Sequence, residues 1–267
     1  MKKIIISSVV VAIAIISVIF FACNKEKETS EKQASASAQN FIKLAHEGAV
    51  THNEGLEYVY ARLAEIKISE NPLAVVENLT LDFIKTHSFF KSDIDAASKA
   101  AKTVFDKFTY YKKHQTKSSS TLWLEADESL LTTSQKMWLT QVNDVIDQND
   151  DVILMAKSLD KIRDLVIKEG SEQEQYITII AIEVTKETMD YWYNNYPEWE
   201  RLLSEKPSKG WSWKDAAKSD VTGAIGGAIG GALGGGGAGA IPGAIGGACI
   251  TSACNIVGQA MENWFGW

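Results

Sequence analysis

Four histidines, His46, His52, His87 and His114, are the residues of this 267-residue chain best suited to metal or proton chemistry. A zinc site built on one helix needs two of them four residues apart, so that both rings leave the same face. In HEGAVTH, His46 and His52 are six apart, which turns them to different faces. Exposed polar histidines and no metal are the expectation. DQNDDVILMAKS, from Asp147, opens with the carboxylates of a calcium loop. It then has Val152 where glycine must turn the chain and Ser158 where a bidentate Glu must close the shell. Asp150 and Asp151 are better placed to favour a helix N-terminus than to do acid–base work. The glycines follow no strand, so neither a phosphate loop nor a dinucleotide fingerprint fits, and no nucleophile elbow is present. We expect no catalytic residue, no cofactor and no enzyme activity.

The first cysteine has a different role. Lys2 and Lys3 precede an apolar run from Ile4 to Phe21, broken only by Ser7, Ser8 and Ser17, and then comes Phe20-Phe21-Ala22-Cys23. The pattern resembles a bacterial lipoprotein signal, with a small residue before the cysteine. The resemblance implies that residues 1–22 are removed. It also implies that Cys23 carries fatty acyl chains such as palmitate and becomes the mature N-terminus. That family usually has Leu at the position of Phe20 and a small residue at Phe21. The competing reading is an uncleaved anchor, since 18 apolar residues nearly span a bilayer. The polar stretch that follows, NKEKETSEKQASAS, favours the lipoprotein. It has no bulky apolar residue, so residues 23–37 read as a flexible tether. Asn24 is not the Asp that marks inner-membrane retention in the best-known system, and NKEKE resembles the export tags of surface lipoproteins. The expected location is the cell envelope, as an outer-membrane lipoprotein displayed at the surface.

Charge narrows the partners. Beyond residue 22, 25 Lys and Arg face 34 Asp and Glu, a formal −9, and only Arg62, Arg163 and Arg201 are arginines. A nucleic-acid surface needs clustered positive charge, so nucleic acid is not an expected partner. Cys249 and Cys254 lie in CITSAC. An oxidising envelope would permit a disulfide between them; two thiols alone make a poor metal site.

Residues 38–204 read as a helical domain. Leu56, Val59, Tyr60, Leu63 and Ile66 recur at helical spacing. Asn71-Pro72 starts a second helix, with Pro where its missing N–H costs nothing, and Ser92 starts a third. Thr132 with Gln135, and Ser171 with Glu174, match capping boxes. Gly170 suits a helix stop, and Pro197 should end the last helix at about Tyr196. YITIIAI, Tyr176 to Ile182, is the one window with strand character, and its charged neighbours keep it helical. Lys112 to Thr121 reads as a loop.

The chain then changes character. After a linker over residues 205–220, residues 221–261 hold no charged side chain. Gly223, Gly227, Gly231, Gly235, Gly239, Gly243 and Gly247 form one row at a four-residue beat, and Gly226, Gly230, Gly234 and Gly246 a second. On a helix this beat makes a smooth groove for close helix packing. The pattern resembles glycine-zipper segments and the membrane-active tails of class II bacteriocins. Fourteen glycines at about 1 kcal/mol each, relative to alanine, leave such a helix unstable alone in water. In lipid, helix is the only local way to satisfy the backbone. A straight helix would be about 60 Å long, twice the hydrocarbon core, so GGGGAGAIPG should turn it into a hairpin of two spans. Trp211, Trp213, Trp264, Phe265 and Trp267 would then form an interfacial belt, the last three within an aromatic tail over residues 262–267. Packing of the hairpin onto the helical domain, disorder and β-aggregation are the competing fates.

The expected fold is therefore all-α, a multi-helix domain followed by a Gly/Ala-rich helical hairpin. The expected function is that of a cell-envelope lipoprotein with a membrane-inserting, self-associating tail, a bacteriocin-like or contact-dependent antagonism protein. The alternative is a non-toxic structural lipoprotein whose tail anchors or oligomerises. Expected partners are membrane lipid, further copies of the chain through the tail, and an immunity factor or envelope protein.

Overall fold

The computed structural model describes residues 37–65, 71–114, 129–203, 212–235 and 239–265. The expected signal peptide, Cys23, the expected tether up to residue 36, Trp211 and Trp267 lie outside the described residues. Among the described residues every regular element is a helix, as the spacing predicts, and there is no strand. Eight α-helices run in chain order: α1 (37–65), α2 (Pro72–Thr86), α3 (Ile94–His114), α4 (Thr133–Gln148), α5 (Val152–Glu169), α6 (Glu172–Leu203), α7 (Trp213–Gly235) and α8 (Ala240–Phe265). A short 3-10 turn, Ser88–Phe90, joins α2 to α3. Contacts divide the chain after Phe41; residues 37–41 open α1, and Ile42–Trp267 form one compact unit.

Local chemistry sets most of the helix ends. Asn71 caps α2, its side chain accepting from Ala74 N, with Pro72 in the first turn. Thr132 and Gln135 make the reciprocal capping box of α4. Asp151 caps α5, accepting from the backbone of Ile153 and Leu154, in keeping with a helix-start role. Each such cap contributes about 1 kcal/mol. Gly170 ends α5 with an extended backbone, φ −83°. Its need for glycine is steric, because a Cβ there would stand 2.8 Å from the Val166 carbonyl and 2.9 Å from the Trp138 ring.

Three boundaries differ from the sequence expectation, the first being that α3 runs on to His114, three residues into the loop expected from Lys112. α6 does not stop at Tyr196 but continues through Pro197 to Leu203. Proline removes one backbone bond from a helix interior, at a cost of about 3 kcal/mol. Burial beyond it offsets that cost. Trp199 and Leu203 are each 1% exposed. Trp199 packs at 5.2 Å from the Tyr60 ring and 5.6 Å from Trp192, and its Nε1 donates to Tyr191 Oη at 2.9 Å. The linker over 205–220 is also shorter than expected, since α7 is already helical from Trp213. Ser212 starts it, its hydroxyl accepting from Asp215 N and donating to Asp215 Oδ2.

The hairpin α7–α8 is the centre of the compact unit. α3 packs on both of its helices, α6 lies along α7, and α2 covers α8. α4 and α5 pack on α6. The window Ala240–Gly258 is 94% buried within the protein. The backbone that hydration cannot stabilise is thus shielded here by other helices of the same chain.

The junction of α4 and α6 gives a pH prediction. Glu174 accepts from the Ser171 hydroxyl at 2.8 Å, from Ser171 N at 3.0 Å and from Thr132 Oγ1 at 2.9 Å. These donors, the Ser171 hydroxyl first, hold its carboxyl below the usual range. A lowered carboxylate stabilises the fold above its unfolded pKa, about 4.3, and that contribution disappears as pH falls through the folded value. Thermal melts should show an acid-side loss over that window that is smaller in Glu174→Gln.

Candidate functional site: a glycine seam and a buried charge

The predicted glycine row forms a seam between α7 and α8. Gly223 faces Gly247, Gly227 faces Gly243, and Gly231 faces Gly239 and Gly243. A Cβ on Gly243 would stand 2.9 Å from Gly231 Cα, and one on Gly247 2.9 Å from Gly227 Cα. On Gly223, Gly227 or Gly231 it would overlap a carbonyl of the opposite helix. The two backbones touch directly, which only glycine allows. Gly235 closes α7, and the Gly239 carbonyl accepts from Gly243 N at 2.9 Å as α8 begins. The groove expected to hold other copies is filled within the chain.

The second glycine row seats α3. Gly246 lies against the Ala97 carbonyl, Ile84 and Ala101, with an added Cβ 3.0 Å from that oxygen. Gly230 faces Ala100 with more room, 3.8 Å. α1 approaches α8 in the same way, Gly48 receiving Ile241 and Ile245, and Gly55 receiving Cys249 and Phe83. With Ala45 and Ala49, both 0% exposed, these glycines make a small-residue stripe on α1 at helical spacing.

Beside the seam sits a charge that sequence reasoning missed. Asp220, on α7 one residue before the uncharged stretch, is fully buried. Its Oδ2 accepts from Trp192 Nε1 at 2.6 Å and from the Thr188 hydroxyl, both on α6. Its Oδ1 lies 3.2 Å from Nε2 of His52 on α1, also fully buried. The approach is close but lacks hydrogen-bond alignment. His52 Nδ1 is 3.0 Å from Asn53 Oδ1, and the Asn53 amide donates to Glu187 O at 3.2 Å. Both ring nitrogens therefore face acceptor oxygens. The expectation of exposed histidines fails at His52. Its partners are remote in sequence, and its place in the small-residue stripe of α1 was the only available signal.

A second charged cluster ties α1, α5 and α6. Glu183, 2% exposed, pairs with Arg163 at 2.9 Å and Lys186 at 3.5 Å, and both cations reach Asp160 at 2.9 Å. His46 Nδ1 lies 3.3 Å from Glu187, whose carboxyl burial pushes up. At the start of α7, Lys214 pairs with Asp150 at 2.6 Å, and Lys218 pairs with Asp147.

Cysteine, histidine and aspartate meet at this place, but not as a reacting set. Cys249 Sγ contacts the His52 backbone carbonyl at 3.6 Å, not the ring. Burial first, and the Asp220 charge second, push the thiol well up, so it is held as a thiol. Among the described residues no group of three or more His, Cys, Asp or Glu side chains could hold a metal ion. The disulfide that the sequence permits is not formed, and Cys249 and Cys254 are free and buried. Five residues along one continuous helix turn them about 140° apart around its axis, too far for the bond.

The expected interfacial aromatics divide. Trp213 is half-buried, edge-on to Tyr193 at 5.6 Å, with Lys214 over its ring. Trp264 and Phe265 lie in the last turns of α8. The expected pair of spans is unequal. The uncharged part of α7, residues 221–235, is about 22 Å long. Among the described residues only Ala240–Gly258 of α8 is long and apolar enough to cross a membrane. Comparison with protein-family models, with curated proteins and with solved structures finds no match.

The seam predicts opposite effects for one substitution at neighbouring glycines. Gly227→Ala should destabilise the protein by more than about 3 kcal/mol, because backbone must move. Gly230→Ala, with ordinary contact space, should stabilise it by about 0.5–1 kcal/mol. Urea unfolding of the two variants distinguishes them. Alkylation of the native protein should leave Cys249 and Cys254 unmodified, and denaturation without reductant should expose two reactive thiols.

Proposed function

We propose that the chain is a cell-envelope lipoprotein, acylated at Cys23, that carries a membrane-inserting hairpin in sheathed form and acts in contact-dependent, bacteriocin-like antagonism. The observation that supports this is the construction of the hairpin. Its inner seam is complete in itself, glycine on glycine. Its outer faces are small and apolar, with Ala224, Ile225, Ala228, Ile229, Ile241 and Ile245 buried against other helices. Lipid can replace those helices without disturbing the seam, because packing inside a bilayer uses the same close glycine contacts. Displacement of α3 would leave the second glycine row, with Gly230 and Gly246, available to other copies.

One observation favours the alternative, a resident structural lipoprotein whose hairpin stays a permanent core. Among the described residues only α8 has a stretch long enough to span, and that stretch is almost wholly buried.

A reversible lock separates the two. A Cβ at position 55 would lie 2.8 Å from Cys249 Sγ, close to the roughly 3 Å between a Cβ and the far sulfur of a disulfide. Gly55→Cys should therefore bond α1 to α8 on oxidation, once the Phe83 ring shifts aside. The acylated mature protein should release dye from phosphatidylethanolamine–phosphatidylglycerol vesicles. Oxidised Gly55→Cys should not, and reductant should restore release. Absence of leakage in every form would leave the resident reading. Cys23→Ser should abolish acylation, and retention of the lipid in that variant would remove the lipoprotein assignment.

A further inference from the structure

We propose that the buried cluster of His52, Asp220, Thr188 and Trp192 is a charge latch that holds α7 against α1 and α6 and so restrains the hairpin. The inference rests on the sheathed-hairpin reading for its purpose, while its mechanics concern the folded protein alone. Three observations carry it. Every partner of the Asp220 carboxylate comes from outside the hairpin, His52 from α1 and Thr188 and Trp192 from α6. All four residues are 0% exposed, so no water reaches the cluster in the folded protein. Asp220 also stands directly before the 41-residue uncharged stretch.

The physics makes this pair different from the apolar contacts around it. Apolar faces of the hairpin exchange protein for lipid at little cost, since both are hydrocarbon. The Asp220 carboxylate has no such exchange. Moving α7 away strands a buried carboxylate, an imidazole, an indole N–H and a hydroxyl, and separating a buried pair is strongly unfavourable. A carboxylate carried toward the hydrocarbon is itself costly. Both effects oppose release, and both act through one residue. Lys214 and Lys218 hold the preceding turns of α7 to Asp150 and Asp147 at the protein surface. The carboxylate of each pair is open to solvent, which limits its contribution, so the buried cluster is the stronger tie.

The test compares Asp220→Leu with Leu159→Ala. Leu159 is buried on α5, which packs on α6, so its loss loosens the protein away from the latch. Hydrogen exchange on the mature protein, at denaturant concentrations that equalise overall stability, is the first readout. In Asp220→Leu the amides of residues 216–225 should exchange about tenfold faster than in Leu159→Ala, while α4 and α5 of Asp220→Leu keep their wild-type rates. Thr188→Val, which removes one donor at nearly constant shape, should give a smaller shift in the same segment. Uniform exchange across the helices in both Asp220 and Thr188 variants would overturn the latch. Flotation with phosphatidylethanolamine–phosphatidylglycerol vesicles is the second readout. More bound protein for Asp220→Leu than for Leu159→Ala supports restraint of membrane entry, and equal binding overturns it. Selective loosening of α7 with no vesicle binding by any form, wild type included, would uphold the tie but overturn the membrane reading and the purpose assigned here.

Discussion

The direct contact of two helix backbones along Gly223, Gly227, Gly231, Gly243 and Gly247 is the constraint on which the rest of the structure depends. Glycine is the costliest ordinary residue in a helix, by about 1 kcal/mol against alanine. A hairpin built from it therefore needs compensation from packing. Close approach supplies part of it, because dispersion falls steeply with separation and no side chain keeps these backbones apart. Removal of water from both outer faces supplies the remainder. That second requirement explains why the surrounding helices are also built for close approach. α1 brings Gly48 and Gly55, which admit the larger Ile241, Ile245 and Cys249 of α8, and α3 brings Ala97, Ala100 and Ala101 against Gly230 and Gly246.

What could be read from the sequence follows from the range of each interaction. The caps at Asn71, Thr132, Asp151 and Ser171 act over two to three residues, and the chain displays both partners together. The four-residue glycine beat was legible for the same reason, and its row does form a helix seam. Its partner was not legible. A groove of glycines asks for a close neighbour but does not say whether that neighbour is lipid-embedded, another copy or the same chain. Pro197 misled because its local cost is real. The compensating contacts of Trp199 with Tyr60 and Trp192 depend on tertiary packing. His52 was unreadable on similar grounds. A histidine on an otherwise small-residue face gives no sign of a carboxylate on α7 or of the Thr188 and Trp192 donors that share it.

The two halves of the molecule solve the burial problem differently. α4, α5 and the start of α6 use ordinary large apolar residues, such as Leu139, Ile146, Met155 and Leu159, all 0% exposed. Their exposed faces carry the charges, and Arg163 and Lys186 draw the nearly buried Glu183 into a network that satisfies it. The hairpin side uses small residues, and its one buried charge is set at the edge of the uncharged run. In the first half stability comes from bulk, since each large side chain removes much apolar area from water. In the second it comes from shape. An added methyl group is fatal where a backbone faces it and harmless where a gap remains.

This asymmetry bears on how a membrane state would be reached. From Val221 to Gly235, α7 covers about 22 Å, against a hydrocarbon core of about 30 Å. α8 has a span of adequate length. A hairpin inserted with its turn leading would bring Asp220 to the hydrocarbon boundary while α8 still had apolar residues to bury. The energetic conflict of the inserted state then falls on the residue that anchors the sheathed one. One carboxylate would stabilise the stored form through His52, Thr188 and Trp192 and also limit the depth of insertion. In the proposed membrane state such coupling would oppose partial release of α7, because Asp220 would leave His52, Thr188 and Trp192 as soon as the helix moved.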